Sequence, residues 1–289
     1  MRRFLVPLLL LLALLAAGCG RDDSTSRQAP PPPKRIVSLS PTATEMLFAI
    51  GAGGQVAAVD SNSNYPKEAP KTDLSAYQPN LEAIAGYKPD LVVYSDDPGE
   101  LAAGLSKLAI PALAEPAAKT LDDTYAQIGQ LGRATGHVAE AAKLTATMKA
   151  QIAKIVAAGR PERHLTYYHE LDKNLYSATS RTFIGQLYGL LGMENIADAA
   201  DKDKSGYPQL SAEYVVKADP DLIFLADTKC CAQSARTVAA RDGWDRLTAV
   251  KSGGVVELDD DIASRWGPRV VDFLKTIAAK TQTLEAVGS

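Results

Sequence analysis

Leu81-Glu82-Ala83-Ile84-Ala85-Gly86-Tyr87-Lys88-Pro89-Asp90-Leu91-Val92-Val93 and Ala212-Glu213-Tyr214-Val215-Val216-Lys217-Ala218-Asp219-Pro220-Asp221-Leu222-Ile223-Phe224 are two copies of one pattern. Each holds a glutamate, then Pro-Asp-Leu at the same spacing, then two apolar residues. A tyrosine and a glutamine stand shortly upstream of each, Tyr77-Gln78 and Tyr207-Pro208-Gln209. The physical reading is a short helix, a turn marked by proline, and a buried strand. Many α/β proteins contain such a unit once. The identical Glu-to-Pro spacing favours a duplicated lobe, and two equivalent lobes suit a clamp better than a single catalytic domain.

Outward from the repeat, short β-type runs occur at Ile36–Leu39, Val56–Val59, Leu91–Tyr94 and Ile110–Leu113, with helical stretches at Thr42–Ile50, Leu81–Gly86 and Glu100–Leu108 between them. Strands that are apolar throughout belong in a parallel sheet covered on both faces. Strand–helix alternation argues α/β. A helix fits Leu121–Arg133, and Val138–Ala158 follows without Pro or Gly. At 1.5 Å per residue the second is a rod of about 31 Å, with Ala142, Met148, Ile152, Ile155 and Val156 near one face. Strands resume at Leu165–Tyr168, Leu222–Leu225 and Val255–Leu258, with helices at Phe183–Leu191, Ala212–Lys217 and Pro268–Leu284. The expected fold is α/β, two Rossmann-like lobes joined by one long rigid α-helix with a ligand cleft between them. The boundaries are a signal peptide at 1–19, a Pro-rich tether at 20–34, an N-terminal lobe at 35–135, a linking helix at 136–158 and a C-terminal lobe at 159–289.

Met1-Arg2-Arg3 is a positive start, and Phe4–Leu15 is an apolar run too short for a bilayer, which needs roughly 20 residues. Leu15-Ala16-Ala17-Gly18-Cys19 resembles a bacterial lipoprotein cleavage site, with Cys19 the acylated residue. The expected location is extracytoplasmic, lipid-anchored to the cell membrane. The segment after Cys19 is polar and ends in Pro30-Pro31-Pro32-Pro33, a stiff finish to a tether.

The chain has 289 residues, 46% hydrophobic and 22% charged, with net charge −3. No basic surplus exists to neutralise a phosphate backbone, so nucleic acid is not an expected partner. No nucleophile elbow, phosphate loop or His-Glu-x-x-His motif occurs, so neither an enzyme nor a resident cofactor or metal is expected. Ligands of open parallel sheets bind beyond the carboxyl ends of the strands. In one lobe that rule selects Ser40, Pro41, Thr42, Asp60 to Tyr65 with Asn62, Tyr77, and Ser95 to Asp97. In the other it selects His169 to Leu171, Tyr207, Thr228 to Gln233, and Asp261 to Trp266 with Arg265. His169 is as readily a satisfied strand-end histidine as a ligand contact. Cys230 and Cys231 are the only other cysteines. In an oxidising compartment a disulfide between them is the favoured state. Two buried thiols or a poor soft-metal site are the alternatives.

Arg35-Ile36-Val37-Ser38-Leu39-Ser40-Pro41-Thr42-Ala43-Thr44-Glu45, Asn64-Tyr65-Pro66, the Asn80–Val92 segment and Ser264-Arg265-Trp266-Gly267-Pro268-Arg269 resemble the substrate-binding proteins for cobalamin, haem and ferric siderophores. The resemblance covers nearly all of the chain from Arg35. It implies a monomeric receptor that carries a metal chelate to the permease subunits of an ABC importer, with little hinge closure. It implies that Glu82 and Glu213 dock on the permease. The cobalamin-binding members look most similar, with Tyr77, Tyr207 and Asn62 standing where those have other cleft aromatics. For haem, Tyr77 and His169 would be the candidate ligands. For an anionic siderophore, Arg265 and Arg269 would supply the charge.

Overall fold

The structure, a computed structural model, describes residues 31–288. Cys19, the signal peptide and the tether up to residue 30 lie outside the described residues. In chain order the elements of the first half are β1 (Ile36–Leu39), α1 (Pro41–Ala49), β2 (Val56–Val59), α2 (Leu81–Gly86), β3 (Leu91–Tyr94), α3 (Leu101–Lys107), β4 (Ala112–Ala114), α4 (Leu121–Thr135) and α5 (Val138–Gly159). The second half contains β5 (Thr166–Glu170), α6 (Phe183–Leu190), β6 (Glu194–Asn195), α7 (Ala212–Ala218), β7 (Leu222–Leu225), α8 (Thr228–Cys231), α9 (Ala235–Ala239), α10 (Thr248–Lys251), β8 (Val255–Glu257), α11 (Asp260–Ser264) and α12 (Val270–Gly288).

Two parallel four-stranded sheets result, ordered β2-β1-β3-β4 and β6-β5-β7-β8. β1, β3 and β7 are buried along their whole length, as their largely apolar runs require; the one polar residue of β1, Ser38, is hydrogen-bonded by the Thr44 hydroxyl. The repeat is a structural identity. A shift of 131 residues carries Glu82 to Glu213, and the same shift carries the pair Ile36–Leu91 to Tyr167–Leu222. In both copies a side-chain cap, Asn80 or Ser211, accepts from the third helical amide. In both the chain leaves the helix through a left-handed residue, Lys88 or Asp219. The aspartate after each proline then holds the start of the lobe's central strand: Asp90 accepts from the amides of Lys34 and Arg35, Asp221 from that of Thr166.

α5 is 22 residues long, about 33 Å. It connects the two sheets and packs between α4 and α12. It buries Ala141, Met148 and Ile152. Ala142 is exposed, one position off the expected face, and Ile155 and Val156 are half-buried. Gly159 ends the helix, and a methyl group there would come within 2.4 Å of the Ala278 side chain of α12. The helix therefore runs one residue beyond Ala158. β4 begins at Ala112 rather than Ile110, because Ala109 takes a left-handed turn and Pro111 has no amide for the ladder. β6, with two residues of which Glu194 is exposed, has no apolar run to announce it. Among the described residues no helix is long and apolar enough to cross a membrane.

Candidate functional site

The carboxyl ends of β1, β2 and β3 open onto a cavity of about 560 Å³ between the lobes. Its first-lobe wall includes Ser40, Pro41, Thr42, Asp60, Asn62, Tyr77 and Asp96, and α11 with the loop after it supplies Asp261, Ser264, Arg265 and Trp266. Ser40 ends β1 and starts α1: its hydroxyl oxygen accepts from the Ala43 amide at 3.2 Å and from the Ser95 hydroxyl at 2.6 Å, and Pro41 takes the first helical position. Asp60 is buried and accepts from the Ser63 hydroxyl at 2.5 Å and the Asn62 amide at 3.1 Å. Burial nevertheless pushes its carboxyl above the ordinary carboxylate range.

Among the described residues Arg265 is the only cation in the cavity lining, and it is paired inside the protein. It donates to Glu45 at 2.8 Å, to Asp261 at 2.7 Å, to the Asn62 carbonyl at 2.9 Å and to Asn64 at 3.1 Å. Arg269 is equally engaged, donating to both Glu45 oxygens at 2.9 and 2.5 Å with its guanidinium 4.4 Å over the Tyr65 ring. Both guanidinium groups are thus engaged within the protein. The Trp266 indole donates to Gln127 of α4 at 2.9 Å, which fixes its ring against the first lobe.

Seven of the nine residues expected to touch ligand, Ser40, Pro41, Thr42, Asn62, Tyr77, Arg265 and Trp266, line this cavity. His169 does not. It is 0% exposed, and its Nδ1 is 2.8 Å from the Tyr188 hydroxyl. Burial lowers its pKa to about 4, so it is a neutral core histidine. Its ring packs edge-on against Tyr188 of α6, with centroids 5.6 Å apart. Tyr207 does not line the cavity either; it stands 55% exposed on a second-lobe loop. Tyr176, 40% exposed, is bridged to the same loop at Gln209 and was not selected by the sequence. It lies outside the strand-end positions, and only the antiparallel bridge brings it there. Tyr77 is 74% exposed.

Thr228 to Gln233 do not line the cavity. Cys230 and Cys231 lie side by side on α8 and are not joined to each other in the structure. The amides of Thr228, Lys229 and Cys230 all donate to the Asp260 carboxylate, which holds this stretch as a helical turn. The Cys230 thiol is pushed up to about 12 by its hydrogen bond with Cys231, then by burial and the neighbouring carboxylates, so the nucleophilic thiolate is scarce.

Beneath that turn lies a buried polar cluster. Glu170 at the end of β5 takes a two-pronged bond from Arg241 at 2.6 and 2.5 Å. Asp227, 0% exposed, has no partner for either carboxylate oxygen. Burial, then the nearby Glu170 charge, raises its pKa to about 7 against the pull of Arg241. Glu115, after β4, is likewise buried without a hydrogen-bond partner, and desolvation raises it to about 7. Among the described residues no cluster of His, Cys, Asp and Glu is arranged to hold a metal ion. Glu82 and Glu213 both lie exposed in the first turn of their helices. Glu213 is held below the usual carboxylate range by its own backbone amide and then by the Ser211 hydroxyl.

Residues 36–262 match the family model described as periplasmic binding protein. An uncharacterised ABC transporter substrate-binding lipoprotein of Bacillus subtilis is 29% identical over 255 residues, covering 85% of this chain and 79% of its own. The vitamin B12-binding protein of Pectobacterium carotovorum is 30% identical over 263 residues, covering 89% and 91%. Among solved structures, the periplasmic vitamin B12 binding protein of Vibrio cholerae superposes with a TM-score of 0.71 at 26% identity, over 89% of this chain and 99% of that one.

Proposed function

The chain belongs to the periplasmic binding protein family, and on that premise we propose that it is the solute receptor of an ABC importer whose cargo is a corrinoid of the cobalamin class. Its work is capture and delivery rather than turnover. The observation that carries the ligand choice is the charge of the cavity. Asp60, Asp96 and Asp261 line it, and its one arginine is already matched by Glu45 and Asp261. Such a wall disfavours polyanionic chelates, including haem with its propionates, which would have to be desolvated without a counter-charge. It suits a ligand whose rim is uncharged amides, which Ser40, Thr42, Asn62 and Asn64 can meet with hydrogen bonds. Tyr77, Tyr207 and Tyr176 offer aromatic faces to the part of a large ring system that extends beyond the cavity. The similarity to proteins named for vitamin B12 agrees with this choice.

The receptor acts as a monomer, held to the extracytoplasmic face of the membrane through acylated Cys19. One acyl chain gives only marginal membrane binding, so a stable anchor requires at least two. Glu82 and Glu213 meet the permease subunits, one per lobe; their equivalence under the internal repeat matches a transporter with two like halves. Calorimetry with cyanocobalamin and with haemin tests the ligand. Tight cyanocobalamin binding that weakens in Tyr77→Ala is expected. Heat with haemin and none with cyanocobalamin or cobinamide refutes the assignment.

A further inference from the structure

One wall of the cavity comes from the second lobe in sequence but is fastened to the first lobe in space. Between Asp261 and Arg269 the chain makes bonds to Glu45, Asn62, Asn64, Thr124 and Gln127, all first-lobe residues. Glu45 lies at the centre. It is 2% exposed, sits on α1 one turn beyond the cavity-lining Thr42, and accepts from both Arg265 and Arg269. Two arginines converge on one carboxylate, and Arg265 returns to Asp261, which in turn accepts from Asn64 at 3.0 Å. The strip also lies alongside α1: a methyl group on Gly267 would stand 3.4 Å from the Thr42 side chain and 3.5 Å from Glu45, in ordinary van der Waals contact with both.

We propose that Glu45 is a positioning residue for ligand binding: its buried carboxylate fixes the Arg265–Trp266 strip to the first lobe and so sets the shape of the cavity without touching the ligand. The charge-assisted, two-pronged geometry explains how one side chain can do this, since a guanidinium held at two nitrogens has lost its freedom to rotate. It also makes the clamp asymmetric. The Arg265 side of the cleft is bonded across the lobes, so any adjustment to ligand falls on the Tyr207 side. The inference rests on reading this cavity as the binding site.

Trp266 supplies a local reporter, because the chain has only two tryptophans and Trp244 is buried in the second lobe. In a Trp244→Phe background, Glu45→Gln keeps the shape and removes the charge. The expected result is a red-shifted Trp266 emission in the ligand-free protein and cyanocobalamin release faster by about fivefold or more. Arg269→Lys, which keeps the charge and loses the fork, should shift both readouts the same way and serves if Glu45→Gln does not fold. Trp266 emission unchanged in the folded variant overturns the proposal. So does a shifted emission with cyanocobalamin release at the parent rate. If the parent protein does not bind cyanocobalamin at all, the corrinoid reading fails, and the Trp266 emission alone decides whether Glu45 positions the strip.

Discussion

Replacing Asp227 by Asn should stabilise this protein at alkaline pH and do little in acid. Asp227 is fully buried with both oxygens unpartnered, and its pKa stands at about 7 against an ordinary value of 3.8. The groups around it are Glu170 from β5, Asp260 from α11 and Arg241 after α9, of which the two carboxylates oppose its charge and the arginine favours it. A pKa raised on folding means that the folded state holds the proton more tightly. Stability is therefore fully present below 3.8 and is lost as pH rises towards 7. The rise corresponds to about 4 kcal/mol, a ceiling because water entry relieves a buried charge. Asn mimics the protonated form but brings two N–H donors that need acceptors, and Glu170 is the nearest carboxylate. A net gain of about 2 kcal/mol at pH 8 is expected, falling to near zero at pH 4. Urea denaturation followed by Trp244 fluorescence measures it, since Trp244 is buried in the same lobe with Arg241 4.5 Å from its ring. Variant and parent curves that run parallel across this pH range refute the reasoning.

The same logic applies to Glu115 in the first lobe, raised from 4.5 to about 7 by desolvation; Glu115→Gln should flatten the pH dependence independently, and the two gains should add because the sites share no partner. Intact mass of the mature protein, alkylated without reductant, decides the state of Cys230 and Cys231: two added alkyl groups are the expected outcome for the unbonded pair of the structure, and none added means that the two are joined as a disulfide. Glu82→Ala with Glu213→Ala should abolish corrinoid uptake by cells while leaving the affinity of the isolated protein unchanged. A double variant that still supports uptake removes the docking role.

The repeat around Glu82 and Glu213, the apolar runs at Ile36, Leu91 and Leu222, and the uninterrupted Val138–Ala158 stretch determine the two parallel sheets and the rod between them. These signals are local: periodicity, capping residues and proline act within a few residues, so they are readable in order along the chain. The strand-end rule found the first-lobe wall for the same reason, since Ser40, Asp60 and Ser95 each follow directly on a strand. What the sequence could not decide was which polar groups meet one another. Arg265 and Glu45 are 220 positions apart, and only folding shows that the arginine is already neutralised and that the cavity therefore carries no free cation. His169 and Glu170 are neighbours at the end of β5, yet one is packed neutral against Tyr188 and the other is paired with Arg241. Cys230 and Cys231 are adjacent in the sequence, but only the fold shows that three amide bonds to Asp260, about thirty residues further on, hold their stretch as a helical turn. Burial and charge pairing are properties of the assembled neighbours, and no short stretch of chain contains them.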